Sequence, residues 1–235
     1  DLTTMEKFDK FEKLDRKVEE TIHEVETMDK RKFFKNSFVY AAIWAFAINL
    51  IIETLGRFPT QGPAGGISFL FHSPIVFLYN TLIIFATLVI ASLFKRRVFV
   101  FTIISIFWLT VGVVNGIILT QRMTPFTVKD LSNLEDGLTI VTNYLSVPLL
   151  ILIVLAIAAA VAGLVLLFIK GPQKKERVKW KRNLAGVVLV ALFAFLSTSF
   201  MIKANLVETF FGNLAYAYRD YGVVYCFTNT WLNTG

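Results

Sequence analysis

Four polar side chains lie inside stretches that are otherwise apolar: Asn49, Glu53, Asn80 and Asn115. In a membrane protein such groups form interhelical hydrogen bonds or line the path of a proton or substrate. Glu53 lies near the end of its stretch, where a carboxylate can pair with Arg57 or with a lipid headgroup. For the three asparagines, hydrogen bonding between helices is the commoner use and a substrate path the rarer one.

Three arginines, Arg57, Arg122 and Arg219, stand apart from the cation-rich segments. A guanidinium presents paired N–H donors that match two phosphate oxygens, so these side chains are candidates for holding a lipid headgroup or a docked domain. The simpler interpretation is that each anchors a helix at the membrane surface. Thr124 and Asp130, close to Arg122, are further docking candidates.

The sequence offers little material for catalysis. The two histidines, His23 and His72, are predicted to lie on opposite sides of a membrane, and the single cysteine, Cys226, excludes a zinc site built from several thiolates. The glycine-rich segment 62–66 lacks the Lys-Ser/Thr pair of a phosphate-binding loop and is interpreted as a flexible connector. No catalytic or metal-ligating residue is assigned, and the chain by itself is expected to be inactive.

The composition excludes a soluble globular protein. Of the 235 residues, 55% are hydrophobic and 17% are charged, against about 45–50% and about 25% in soluble domains. The apolar residues form blocks of roughly 20, the length at which a helix spans the hydrocarbon core. The net charge of +7 arises in the segments between these blocks, which favours a role in membrane orientation over a nucleic-acid partner.

We therefore predict an all-α membrane protein with five transmembrane helices. The predicted spans are residues 37–55, 74–94, 98–120, 147–169 and 184–202. Residues 1–36 carry apolar side chains at intervals of three or four, which predicts an amphipathic helix. This helix either lies on the membrane or flanks the bundle, or it pairs with another helix as a coiled coil.

The distribution of basic residues predicts the orientation. Nineteen of the 24 Lys and Arg residues fall in segments 1–36, 95–97 and 170–183, and five fall in the remaining loops. Because cytoplasmic loops are enriched in Lys and Arg, the N-terminus is predicted to be cytoplasmic and the C-terminus extracellular. The basic loop 170–183 is interpreted mainly as a topology signal, and an anionic-lipid site there is the minor alternative.

The segments on the predicted outer side are not simple turns. Residues from about 125 to 145 repeat leucine and valine at helical spacing, with Thr124 as the expected N-cap, Pro125 in the first turn and Asp130 favouring the helix start. We predict a helix that lies flat on the outer leaflet. Residues 203–235 continue a similar pattern, with Tyr218 suited to the headgroup boundary, and are predicted to be an extracellular interfacial segment and linker.

Four separated strings extend this interpretation: residues 77–82, residues 114–116, residues 122–127 with Asp130, and residues 221–227. Their order and spacing, within the five-span layout, resemble the membrane region of the lipoteichoic acid synthase family. The resemblance covers about residues 37–235. Each string alone is weak, and together they are fairly specific.

The resemblance implies a five-helix anchor in the bacterial cell membrane, followed by an extracellular catalytic domain of the sulfatase type. That domain would use a threonine nucleophile and manganese to transfer glycerol phosphate from phosphatidylglycerol to a growing lipoteichoic acid chain, on a glycolipid acceptor. No residue of this chain matches the nucleophile or the metal ligands, and the natural protein is expected to continue past Gly235. The anchor's partners would be the bilayer, its lipids and its own catalytic domain.

Two other classes of function compete with this interpretation. A stand-alone five-span scaffold or regulator of cell-envelope synthesis is the alternative that the sequence leaves open. A small transporter is disfavoured, because paired ionisable residues at mid-membrane and internal repeats are not evident.

Overall fold

The computed structural model describes residues 2–34, 37–121, 124–144, 146–171 and 180–233. Within these ranges every regular element is helical, which confirms the predicted all-α fold class. The internal contacts divide the chain into two units, Asp1–Tyr40 and Ala41–Gly235, which are described separately.

The first unit is dominated by α1 (Leu2–Phe34), a single helix of 33 residues. Exposed i, i+4 ion pairs, such as the one between Lys13 and Asp9 with an N–O distance of 3.2 Å, lie along its surface. The predicted apolar stripe is exposed from Met5 to Val25, with exposed fractions of 49 to 77%. The amphipathic helix is therefore confirmed over its described residues, and the surface that covers its stripe stays a prediction.

The second unit contains five helices long and apolar enough to span a membrane, as predicted. They differ from the predicted spans mainly at two ends: the first continues past residue 55, and the fifth begins four residues earlier than residue 184. The five are α2 (Ser37–Gln61), α4 (Pro74–Leu88) with its 3₁₀ continuation Val89–Leu93, α5 (Arg97–Gln121), α8 (Val147–Lys170) and α9 (Trp180–Lys203).

The segment predicted to be a flexible connector is instead a helical hairpin. After α2, a 3₁₀ turn (Gly62–Ala64) leads into α3 (Gly65–His72), which packs back against α2. Gly62 has a φ of 71°, which a residue without a Cβ adopts at little cost. At Gly66 a Cβ would lie 2.2 Å from the Thr54 hydroxyl, so glycine is what allows the close return.

The predicted outer helix consists of two pieces, α6 (Val128–Ser132) and α7 (Leu134–Tyr144). The expected N-cap at Thr124 is wrong, because the cap is Thr127: its side chain caps the Asp130 backbone N–H while the Asp130 carboxylate accepts the Thr127 N–H at 2.9 Å. This reciprocal capping box satisfies two donors at once, which a Thr124–Pro125 start does not offer. Asp130 does occupy the first turn, as expected.

The segment after the fifth span forms two short helices rather than one continuous pattern. They are α10 (Leu214–Tyr221) and α11 (Val223–Leu232), separated by Gly222. α11 packs against α4 and α6, and its first five side chains are at most 5% exposed. We call the side of the spans at which α2 ends, α4 begins and these two helices pack the C-terminal face.

α2 and α5 approach each other closely through a Gly-x-x-x-Gly pair on α5. A Cβ at Gly112 would lie 3.1 Å from the Ile52 Cα, and a Cβ at Gly116 would lie 2.4 Å from the Leu55 carbonyl oxygen. Small residues at such a contact let two helix backbones pack without lipid between them. By contrast, the described side chains of α8 are mostly exposed, and the core lies among α2, α4, α5 and α11.

The contact at Gly116 predicts a selective loss of stability. Gly116→Ala should lower the free energy of unfolding by roughly 1–3 kcal/mol, because the added methyl group meets a backbone oxygen that cannot rotate away. Gly163→Ala on α8 is the matched control, since a Cβ there has nothing within 4 Å and should be neutral or slightly stabilising. The Tm of both variants in detergent tests this; equal Tm values would contradict the close approach.

Candidate functional site: a buried polar clamp

A buried ion pair lies near the end of α2. Glu53 and Arg57 are one helical turn apart, the Arg57 Nε to Glu53 Oε2 distance is 2.7 Å, and their side chains are 0% and 6% exposed. Removing two charges from water is costly unless the remaining donors and acceptors are also satisfied. The structure satisfies them with groups from the C-terminal segment.

Arg57 has two further contacts besides the ion pair, one through Nη2 and one through the face of its guanidinium. Nη2 donates to the carbonyl oxygen of Tyr218 in α10 at 3.1 Å. The guanidinium lies 4.0 Å from the ring centroid of Phe69, which the α3 return brings over it. The result is a cation held by a carboxylate, a helix carbonyl and an aromatic face.

Glu53 caps the start of α11. Its Oε1 accepts the backbone N–H of Val223 at 2.8 Å, one of the donors that a helix leaves unpaired in its first turn. A carboxylate at this position also interacts favourably with the partial positive charge of the helix N-terminus. The same side chain therefore neutralises Arg57 and begins α11.

Asn80 of α4 holds the break between the two short helices. Its amide nitrogen donates to the carbonyl of Tyr221, the last residue of α10, at 2.8 Å, and its oxygen accepts the N–H of Tyr225 in α11 at 2.8 Å. The intervening Gly222 has a φ of 90°, and a Cβ there would lie 2.5 Å from the Asn80 amide. Glycine is required at this position both by the backbone angle and by the side chain above it.

Asn115 of α5 ties the third span to the same place. Its amide donates to the Gly56 carbonyl at 3.3 Å, and its oxygen accepts the backbone N–H of Phe126 at 2.9 Å. The Phe126 carbonyl in turn accepts the Tyr218 hydroxyl, and the Phe126 ring stacks on Phe227 at 5.3 Å. We call Glu53, Arg57, Asn80 and Asn115, with the backbone groups they bind, the polar clamp.

Asn49 is buried but does not belong to the clamp. Its amide nitrogen donates to the Phe77 carbonyl at 3.1 Å and to the Thr81 hydroxyl at 3.3 Å, which joins α2 to α4 deeper in the bundle. Its oxygen has no hydrogen-bond partner among the described residues.

The other site candidates lie elsewhere. Arg57 is inside the protein rather than at a lipid surface, and Arg122 lies outside the described residues. Thr124 is exposed ahead of α6, and Arg219 is exposed, with its Nε 3.0 Å from Asp220. A lipid or docking role for these residues stays a prediction.

The sequence analysis did not predict the roles of three residues at the polar clamp. Tyr218 was expected at the headgroup boundary, but it is 4% exposed, and burial raises the pKa of its hydroxyl. The roles of Gly222 and of the Val223 backbone were not foreseen, since the helical spacing around them continues without interruption. The signal available was a glycine between two short runs suited to helices.

The clamp holds helices in place and presents no catalytic pair. Within the described ranges, no group of three or more His, Cys, Asp or Glu side chains could hold a metal ion. The family resemblance implies manganese only for the catalytic domain, so this observation does not bear on that expectation. Among family models, curated proteins and solved structures, none matches this chain.

A further cavity, of about 390 Å³, lies between α4 and α9 and is almost wholly apolar. Ile75 and Leu78 line one side and Phe193 and Phe200 the other. These four side chains are 53 to 63% exposed, so the cavity is an open apolar groove between the two helices, and no charged side chain lines it.

Because the ion pair is buried, removing one of its charges should lower the stability of the protein strongly. Glu53→Gln should lower the free energy of unfolding by about 3–5 kcal/mol, because Arg57 is left buried without its counter-charge. Glu135→Gln, at an exposed position in the first turn of α7, is the matched control and should cost less than about 1 kcal/mol, the loss of its interaction with the helix N-terminus. Denaturant unfolding in detergent measures both; a neutral Glu53→Gln would refute the energetic role of the pair.

The reactivity of Cys226 reports on the packing of α10 against α11 beside the polar clamp. Its side chain is fully buried in α11, its Sγ lies 3.3 Å from the Ala217 carbonyl, and burial raises the pKa of the thiol. In the folded protein, maleimide labelling should stay slow as the pH is raised from about 7 to about 9, where an unfolded thiol ionises. Because the folded state retains the proton, stability should fall above about pH 8.5. Fast labelling of the folded protein would contradict the close packing of α10 against α11.

Proposed function

We propose that this chain is the membrane-anchoring domain of a lipoteichoic acid synthase-like phosphoglycerol transferase. In this proposal the enzyme polymerises glycerol phosphate from phosphatidylglycerol at the outer leaflet of the bacterial cell membrane. The catalytic domain, with its manganese, is a separate part of the enzyme. The N-terminus is cytoplasmic and the C-terminus extracellular, as the distribution of Lys and Arg favours.

One observation carries the proposal: the four strings behind the family resemblance meet at the polar clamp. Asn80 comes from the first string and Asn115 from the second, and they bind backbone groups of Phe126 in the third and of Tyr225 in the fourth. Asn80 and Tyr225 are 145 residues apart in sequence. The four strings thus contribute residues to one structural feature, the polar clamp. This supports the resemblance beyond the individual strings.

The clamp also fits what an anchor has to do. It binds α10 and α11 directly to α2 and α4, and α5 is joined to α10 through Phe126. In this proposal the catalytic domain therefore follows a fixed support rather than a free linker. A domain tethered in this way works at a high effective concentration of its membrane substrate. Its distance and orientation relative to the headgroups would be set by the clamp.

The test uses the full-length gene product in vesicles of phosphatidylglycerol labelled in its terminal glycerol. The proposal expects a labelled polyglycerol-phosphate chain, and its absence from folded, membrane-inserted protein would overturn the enzyme assignment. A folded product that makes no polymer but retains envelope partners would favour the scaffold alternative.

Asn80→Ala should lower polymer formation in the same assay by about tenfold or more, because a displacement of the reacting groups by about 1 Å can cost up to a hundredfold. Asn49→Ala is the matched control: it removes a buried asparagine of the same bundle that does not contact α10 or α11, and polymer formation should stay close to wild type. Equal losses in both variants, at equal protein levels, would contradict the role of the clamp in catalysis.

A further inference from the structure

The turn between the second and third spans carries three consecutive bases, Lys95, Arg96 and Arg97. It lies at the end of the bundle remote from the C-terminal face, where the 3₁₀ segment Val89–Leu93 passes into α5. Because the helices on either side are membrane spans, these charges lie at the membrane surface.

The fold brings a further base to this turn from α9. The amide of Asn183 is buried and donates to the carbonyl of Ser92 at 2.9 Å, which holds the first turn of α9 against the end of the second span. Arg182, next to Asn183, is thereby brought to the end of the second span at which Arg97 lies. Like charges brought together by folding carry a cost that a bound anion removes.

Arg96 reaches in the opposite direction, towards α8. Its guanidinium lies 4.5 Å from the ring centroid of Phe168, which also makes an edge contact with Phe99 at 5.0 Å. Two elements therefore contribute bases to one place, the turn and α9, and α8 contributes the aromatic ring that lies against Arg96.

One hydrogen-bond donor in this cluster is unused. The Nη1 atom of Arg96 is shielded from solvent and has no hydrogen-bond partner among the described residues. The described residues from 54 to 129, from 146 to 171 and from 180 to 207 include no Asp or Glu, so these parts of the second unit offer no carboxylate to the cluster. A shielded charged donor without an acceptor is costly, and an anionic oxygen is the group that would satisfy it.

We propose that Arg96 and Arg182, with the adjoining bases, form a binding site for a phosphate group at the membrane surface. The Arg96 guanidinium lies 4.5 Å from the centroid of the Phe168 ring, and a guanidinium offers paired donors that match two phosphate oxygens. The phosphate is that of a phospholipid headgroup or of a free phosphate ion. The site is at the other end of the bundle from the clamp and does not depend on the proposed enzymatic function.

The experiment measures binding by the purified chain in detergent, after removal of endogenous lipid. Its Tm is titrated separately with dioleoylphosphatidylglycerol, dioleoylphosphatidylcholine and inorganic phosphate, at constant ionic strength. Arg96→Gln and Arg182→Gln test the site. Lys203→Gln removes one exposed charge from the other end of α9 and is the matched control.

Arg96→Gln should raise the apparent Kd for dioleoylphosphatidylglycerol about tenfold, the loss expected for one charge-assisted hydrogen bond, while Lys203→Gln should leave it within about twofold. Should Arg96→Gln not fold, Arg182→Gln decides, because that side chain is exposed and its removal leaves the packing intact. Binding of inorganic phosphate with the same dependence on these arginines would make a free ion the ligand, and binding of the lipid alone would make it a headgroup.

Two results would overturn the proposal. The first is an equal loss of affinity in the Arg96, Arg182 and Lys203 variants, which would show attraction by diffuse charge. The second is the absence of any Tm shift with all three probes. No polymer formation is measured, so the outcome is separate from that of the enzyme assay.

Discussion

The buried pair of Glu53 and Arg57 is the interaction on which the C-terminal face depends. Both charges lie within an apolar bundle, and each has more hydrogen-bonding capacity than the other can use. The Tyr218 carbonyl and the Val223 N–H complete the pair, and they come from the two helices on either side of Gly222. The first span and the C-terminal segment therefore stabilise each other: without α10 and α11 the pair would keep unpaired polar atoms, and without the pair those helices would have unsatisfied ends.

The break at Gly222 is what makes this exchange possible. A continuous helix would pair its own carbonyl and N–H groups, whereas two short helices expose the end of one and the start of the other at the same point. Asn80 has both a donor and an acceptor, so one amide serves both ends. The positions of α10 and α11 therefore follow from side chains of the spans.

The two ends of the bundle treat charge differently. At the C-terminal face, the buried cation has a carboxylate partner and a second bond to the Tyr218 carbonyl. At the turn around Arg96, bases from two elements lie together without a described carboxylate from the spans, and a shielded N–H of Arg96 is left without an acceptor among the described residues. The first arrangement is suited to stability, and the second is suited to an external anion. The basic segments that predict orientation can thus also hold a phosphate.

The sequence alone determined where the five spans and α1 lie, because hydrophobic length and helical spacing are local properties: α8 and α9 could be located from composition, and α1 from its periodicity. It also marked Asn80 and Asn115 as polar groups in apolar surroundings. Only the tertiary structure decided which groups these polar side chains bind. The contact of Glu53 with Val223, for example, joins residues 170 positions apart, and no local pattern encodes it. The same holds for the close return at Gly66 and the unused donor of Arg96. Thr127 differs from these, because its capping box with Asp130 is a local motif that the sequence itself contains.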